Sequence, residues 1–377
     1  MRKLAGVSAP FVVVLALTTT GCSLGANDAV DTLDEPPVTY TDAEEDFGNE
    51  ENEPEEDVTE EQADESEAGE ETGEETGSTD ETTPDEAAES LNQRELYLID
   101  SNGLVVPQTL TLPKTDSVMK QALEYLVEGG PINDILPNGF RAVLPAGTEV
   151  DIDHLKEEKL AIVNFSSEFN DYNLADEKQI FEAVTWTLTQ FPDVEEVKVE
   201  VNGYELDKMP QSEKPLVGNL SRADGINVDT SEVVDFTNST DITLYFLGAN
   251  DEDTYYVPVT KRVENVDNEL EAAINELIDG PSLMTNLLTE MSGDVELLNE
   301  PKLQNGEVVL DFNEAIQSAN EGSAIPTSVL ESLALTLTEQ GGIEKVSIQV
   351  NGEAGVNEAG IEVEEVTRPE LVNAKPL

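Results

Sequence analysis

Residues Thr187 to Gly203 read TLTQFPDVEEVKVEVNG, and Thr336 to Gly352 read TLTEQGGIEKVSIQVNG, the same length with no gap. A self-match of that length means two copies of one folding unit, so the chain is a tandem and not one large domain. Each copy opens at helical spacing, passes a short turn and ends in alternating Val and Ile. That is a helix feeding a half-buried strand.

Reading outward from the first copy extends the unit. Glu95 to Ile99 and Leu104 to Val106, joined across Asn102-Gly103, predict a strand pair with a tight turn. Thr115 offers an N-cap for a helix carrying Val118, Met119, Ala122, Leu123 and Leu126 on one face, stopped by Gly129-Gly130-Pro131. Val150, Ile152 and Leu155 alternate with polar residues, as do Leu160 and Ile162, which predicts two more strands turning at Glu157-Glu158. After Asn173 a second helix places Ile180, Phe181, Val184, Leu188 and Phe191 on one side. It leads to the strand Val197, Val199, Val201, which ends at Asn202-Gly203. The order is β-β-α-β-β-α-β, an α+β domain with helices packed on one face of a mixed sheet.

The same order returns from Asp241. Leu244 to Leu247 answer Leu96 to Ile99, Gly280-Pro281 ends the first helix, and Val308 to Phe312 answer the strand ending at Phe165. Val329, Leu330, Leu333 and Leu337 stand in the second helix. The apolar pattern persists while surface letters change, as a shared core requires. Met291 to Asp294 depart from Pro145 to Thr148. The trailing segments also match in outline: Leu220 to Asn227 carries Arg222, and Val366 to Asn373 carries Arg368. In so acidic a chain two arginines at equivalent places are expected to be held by local carboxylates or carbonyls; contact with a partner is the competing reading. Trp186 lies off the Ile180–Leu188 face, where it would cover an inter-domain contact or a partner surface. Leu335 replaces it in the second copy.

Charge divides the chain differently. The net charge is -63, and residues 25–93 hold 28 Asp and Glu with no Lys or Arg. Residues 22–93, nearly devoid of aromatic and branched apolar side chains, are expected to form a disordered tether stretched by its own charge. The later residues keep 54 acidic against 17 basic side chains, so nucleic acid is excluded as a partner, because phosphate binding needs Lys and Arg. A surface this acidic stays soluble in high salt, which points to a saline or alkaline habitat. At the start, Arg2 and Lys3 precede an apolar run from Val7 to Leu17, the pattern of an export signal over residues 1–21. Gly21-Cys22 follows, resembling a lipobox, with Thr19 where Leu is usual. On that likeness Cys22 becomes the lipidated first residue of the mature chain. The remaining divisions are a first domain over 94–210, a linker over 211–240, and a second domain with a C-terminal extension over 241–377.

No residue set spells out catalysis. His154 is the only histidine and Cys22 the only cysteine, so neither a zinc site nor a catalytic triad can be completed in the usual way. Asp151 and Asp153, two apart on a strand, share its solvent face opposite Val150 and Ile152, which reads as a solvated face and not as a hydrolytic pair. Asn250 to Asp253 lack the ligand spacing of a calcium loop and read as a hairpin turn. Gly129-Gly130 has no strand before it to make a phosphate loop. No enzyme activity, cofactor or metal is expected.

The Gly-Pro after the first helix, Pro145 to Thr148, the strand end Asn164-Phe165-Ser166 and the Thr-Leu-Thr to Val-Asn-Gly unit together resemble the GerM, or sporulation and germination, domain family of spore-forming bacteria. The likeness covers residues 94–377 and rests on many weakly specific positions. It implies a fold related to the ring-building modules of envelope complexes. It also implies a non-catalytic lipoprotein that acts in sporulation and germination by assembling with other envelope proteins. Such a protein would sit on the outer face of the cytoplasmic membrane, held by Cys22, and in sporulating cells in the space between forespore and mother cell. Self-association into a homo-oligomer stays open. The alternative from another class is a ligand- or cell-wall-sensing module that binds between the two domains.

Overall fold

A computed structural model of the chain describes residues 91–374, apart from 232–236, 265–267, 318–322 and 364. The export signal, Cys22 and the acidic segment up to residue 90 lie outside the described residues.

In the first domain β1 (Leu91–Asp100) pairs antiparallel with β2 (Val105–Pro113), Leu96 facing Gln108. β1 begins at Leu91, so three residues assigned by composition to the acidic segment are strand. The connection is wider than the tight turn expected at Asn-Gly. Asp100 N donates to Leu104 O at 2.9 Å, closing a three-residue loop with Gly103 at φ +81°. The Asp100 carboxylate accepts from the backbone of Asn102 and Leu104, so it does the bracing that a two-residue turn would do by itself.

α1 (Val118–Glu124) starts after Ser117, whose side chain makes no capping hydrogen bond, and Thr115 does not cap it. An N-cap oxygen must reach two or three residues into the helix, and the Thr115 hydroxyl reaches only the Ser117 N–H at 3.2 Å. β3 (Val150–Leu155) pairs antiparallel with β4 (Leu160–Phe165), and β4 runs parallel to β5 (Glu196–Val201). Between β4 and β5 the chain crosses through α2 (Glu177–Leu188), preceded by a short 3-10 turn at Leu174–Asp176 where the helix was expected to have begun.

The fold is α+β with mixed sheets, but each domain divides its strands into two sheets where one was expected. The hairpin forms its own sheet, with Phe140–Arg141 added to β1, and β3–β4–β5 form the mixed one. α2 packs on both β1 and β5. A helix covered from two sides needs apolar or satisfied residues all round, and ten of its twelve residues are buried, Glu177, Glu182 and Trp186 among them.

The second domain repeats this plan with β6 (Ser239–Ala249), β7 (Thr254–Glu264), α3 (Glu269–Asp279), β8 (Lys302–Gln304), β9 (Glu307–Phe312), α4 (Thr327–Glu339) and β10 (Lys345–Val350). β9 and β10 are again parallel, with Phe312 beside Val350 as Phe165 lies beside Val201. The counterpart of β3 is broken. Val150 and His154 face Phe165 and Ala161, whereas the equivalent partners Leu297 and Leu303 stand two residues further apart. Pro301 falls in that excess and has no N–H to give a ladder.

The Thr-Leu-Thr signature has a structural task in both copies. The Thr187 hydroxyl accepts from Tyr97 N at 3.1 Å, and the Thr336 hydroxyl from Tyr245 N at 2.9 Å. Both threonines are fully buried, and each satisfies a strand N–H that points away from its hairpin partner. At the other end Asn202-Gly203 and Asn351-Gly352 have φ of 51°, 77°, 52° and 81°, the paired positive values of a type I′ turn.

Candidate functional site

The first hairpin aligns Leu96 with Gln108 and the second Leu244 with Val259, so Val105, Pro107 and Thr109 of β2 correspond to Tyr256, Pro258 and Thr260 of β7. These residues form the outward edges of the two hairpins, and the edges face one another across a seam. They are joined by the segments that trail each repeat. Asn227 exchanges hydrogen bonds with Val105 (N–H at 2.8 Å, C=O at 2.7 Å) and donates to Pro258 O at 2.7 Å. Asn373 does the same to Tyr256 and donates to Pro107 O at 2.7 Å. One step along, Thr260 N donates to Ile226 O and Thr109 N to Val372 O. Each trailing segment therefore straps its own domain to the other. The 211–240 stretch, expected to be linker, contains one of these straps.

The residue types follow from the geometry. Asn227 and Asn373 sit at φ 47° and 54°, where Asn is the best tolerated residue after Gly. Ile226 and Val372, before them, are buried. Pro107 and Pro258 occupy the middle of each edge, where an outward N–H would find no acceptor, while their carbonyls are taken by the asparagine amides. Gly225 approaches Thr260 so closely that a Cβ would lie 2.8 Å from Val228 Cγ2 and 3.2 Å from Thr260, at φ +81°.

At one end of the seam a cleft of about 710 Å³ opens between the start of β1, the ends of α2 and α4, and both straps. Arg222 and Arg368 line it from equivalent places. The Glu339 carboxylate bridges them, accepting from Arg222 on Oε1 and from Arg368 on Oε2 at 3.1 Å. Arg222 also donates to Thr189 Oγ1 at 3.0 Å and lies 4.3 Å over the Trp186 ring. Arg368 donates to the Tyr245 hydroxyl and to Leu335 O, its guanidinium 5.4 Å over the Tyr245 ring. Trp186 is buried at 1% exposure, its ring tilted 56° against Tyr97 at 5.7 Å between centroids and its indole N–H on Gly225 O at 3.2 Å. Its ring contacts are with Tyr97, Arg222 and Gly225, all of the first repeat and its trailing segment. Both arginines are held by the one carboxylate of Glu339, and each keeps more than a quarter of its side chain open to the cleft.

The electrostatics are asymmetric. Burial by itself would raise the Glu339 carboxyl, but Arg222 and Arg368 overcome it and hold the group below the usual carboxylate range. Glu95, on the same cleft, accepts from the Tyr97 hydroxyl at 3.0 Å. Burial dominates there and pushes the carboxyl up despite the attraction of Arg368. The arginines are repeated, but the acids are not: the first copy has Gln190 at the place of Glu339, and the second has Thr243 at the place of Glu95. Among 82 acidic residues neither glutamate carries a sequence signal. The asparagines and prolines of the seam do, because they recur at equivalent offsets.

The other sequence candidates lie apart from this cleft. Asp151 and Asp153 point to solvent, Asp151 with Lys120 at 3.8 Å. His154 Nε2 lies 3.0 Å from Asp193 O. Asn250 accepts from the backbone of Glu252 and Asp253 and closes the β6–β7 hairpin.

The profile of the "Sporulation and spore germination" family matches residues 95–207 and 243–356, the two structural repeats. The spore germination protein GerM of Bacillus subtilis (strain 168) is 51% identical over 298 residues, which cover 78% of this chain and 81% of that protein. The solved tandem GerMN domains of the sporulation protein GerM from Bacillus subtilis superpose with a TM-score of 0.72 at 51% identity, over 76% of this chain and 100% of that one. Two matched repeats, a shared tandem fold and identity over most of the length agree: the chain belongs to the GerM family of sporulation and spore germination proteins.

Proposed function

We propose that this protein is a non-catalytic envelope lipoprotein, anchored through Cys22 on the outer face of the cytoplasmic membrane, that acts in sporulation and germination by docking other envelope proteins. In sporulating cells this reading puts it between forespore and mother cell, with the acidic segment setting its reach from the anchor. Its closest support is a difference between the copies. Where the first repeat has Asn133 and Asp134 after Gly130-Pro131, the second has Leu283 and Met284 after Gly280-Pro281, and these are 102% and 88% exposed. Two adjacent large apolar side chains held out in water, in so acidic a chain, fit a contact point for a protein partner. Replacing both by Ser removes that tip without touching the core. Pull-down from sporulating cells should then lose the partner, and spore yield should fall while the melting temperature stays put. Normal sporulation and an unchanged set of captured proteins would reject this reading.

A further inference from the structure

We propose that the cleft at the inter-domain seam is a binding site for a small oxyanion ligand bearing carboxylate or phosphate groups. Three of the six arginines of the chain, Arg94, Arg222 and Arg368, line it. Elsewhere basic residues are outnumbered about threefold, but here three arginines meet three glutamates, Glu95, Glu339 and Glu370. Against a molecule that repels anions over the rest of its surface, this is where one can approach.

The donors are prepared for it. Glu339 takes one nitrogen from each of Arg222 and Arg368, and the two guanidiniums lie over the Trp186 and Tyr245 rings. Among the described residues Arg222 Nη2 and Arg368 Nε have no acceptor, and Arg94 donates only to Gln93 O, at 3.3 Å. Planar forks held in fixed orientation match carboxylate and phosphate oxygens. A volume of about 710 Å³ admits a molecule larger than a single ion. This site is independent of the Leu283–Met284 tip, so either reading can fail without the other.

The test is calorimetric titration of the full-length chain with citrate and, separately, with inorganic phosphate. Ionic strength is matched with sodium chloride, and glucose serves as the neutral control. Saturable binding of citrate, of phosphate or of both, absent for glucose, is expected; which anion binds tells the carboxylate source from the phosphate one. Arg94→Gln should weaken that binding at least tenfold with the melting temperature unchanged, because Arg94 has no carboxylate to lose. Lys208→Gln, whose ion pair with Glu213 lies outside the cleft lining, should leave the affinity alone. Should Arg94→Gln prove unstable, Arg94→Lys keeps the charge without the fork and should still weaken binding severalfold. Failure of both anions to bind above the chloride baseline would overturn the proposal, as would binding that is indifferent to both Arg94 variants.

Discussion

Asn373→Ala tests the seam most directly. The side chain makes three hydrogen bonds, to Tyr256 N, Tyr256 O and Pro107 O, at 2.7 to 2.9 Å. At about 0.5–1.5 kcal/mol each they sum to about 1.5–4.5 kcal/mol, nearer the upper end because their partners are left unsatisfied. The residue also sits at φ 54°, which costs alanine about 1 kcal/mol more. The expected loss is about 3–5 kcal/mol, and Asn373→Gly, which relieves only the backbone, should recover about 1 kcal/mol of it. Urea unfolding followed by tryptophan fluorescence and by far-ultraviolet dichroism gives a second readout. Trp186 is the only tryptophan and belongs to the first domain, whereas dichroism sees both. In the wild type the two curves should coincide; in Asn373→Ala they should separate as the domains lose their coupling. Asn227→Ala should behave alike, since its bonds are the mirror of these. Coincident curves with an unchanged midpoint in Asn373→Ala would refute the claim that the asparagines join the domains.

Three further outcomes follow from the same geometry. Glu95→Gln should stabilise the protein at pH 7 relative to pH 4: a carboxyl raised by burial favours the folded state at low pH and loses that contribution as pH rises from the ordinary range through the folded value. Melting curves of the variant and the wild type at the two pH values check this, and the reverse order would contradict it. Thr336→Val keeps the shape but strands the Tyr245 N–H, so denaturant titration should show a loss of about 1–3 kcal/mol; a loss below 0.5 kcal/mol would mean that water or a shift of the helix replaces the hydroxyl. The melting temperature of the wild type should climb from 0.05 to 1 M sodium chloride, since 54 acidic side chains face 17 basic ones from Arg94 onward. Indifference to salt would count against a saline habitat.

How much of this was legible in the sequence depended on whether a feature was periodic. The strands around Val197–Val201 and Lys345–Val350 and the helices α2 and α4 stood out because core residues recur at spacings of two or of three and four. The division into two sheets did not, because alternation in β1 and β3 says which face is buried and not which strands pair. Thr115 failed as a cap because the helix starts two residues too late for its hydroxyl to reach a first-turn N–H. Arg222 and Arg368 were visible as a repeated pair. Their shared partner was hidden, because Glu339 belongs to one copy only and looks like any other glutamate. Trp186 lies off the Ile180–Leu188 face yet is buried, because a helix covered by both a sheet and a hairpin has no single buried face.

The straps also bear on time. Thr109 waits for Val372, 263 residues further along the chain, and Pro107 waits for Asn373. The edge of the first strand pair is thus closed by residues synthesised more than 260 positions after it. Until they arrive, that edge is open to any passing strand. A proline at its centre, unable to donate, keeps the wait safe: the residue that fits the finished seam also guards the unfinished one.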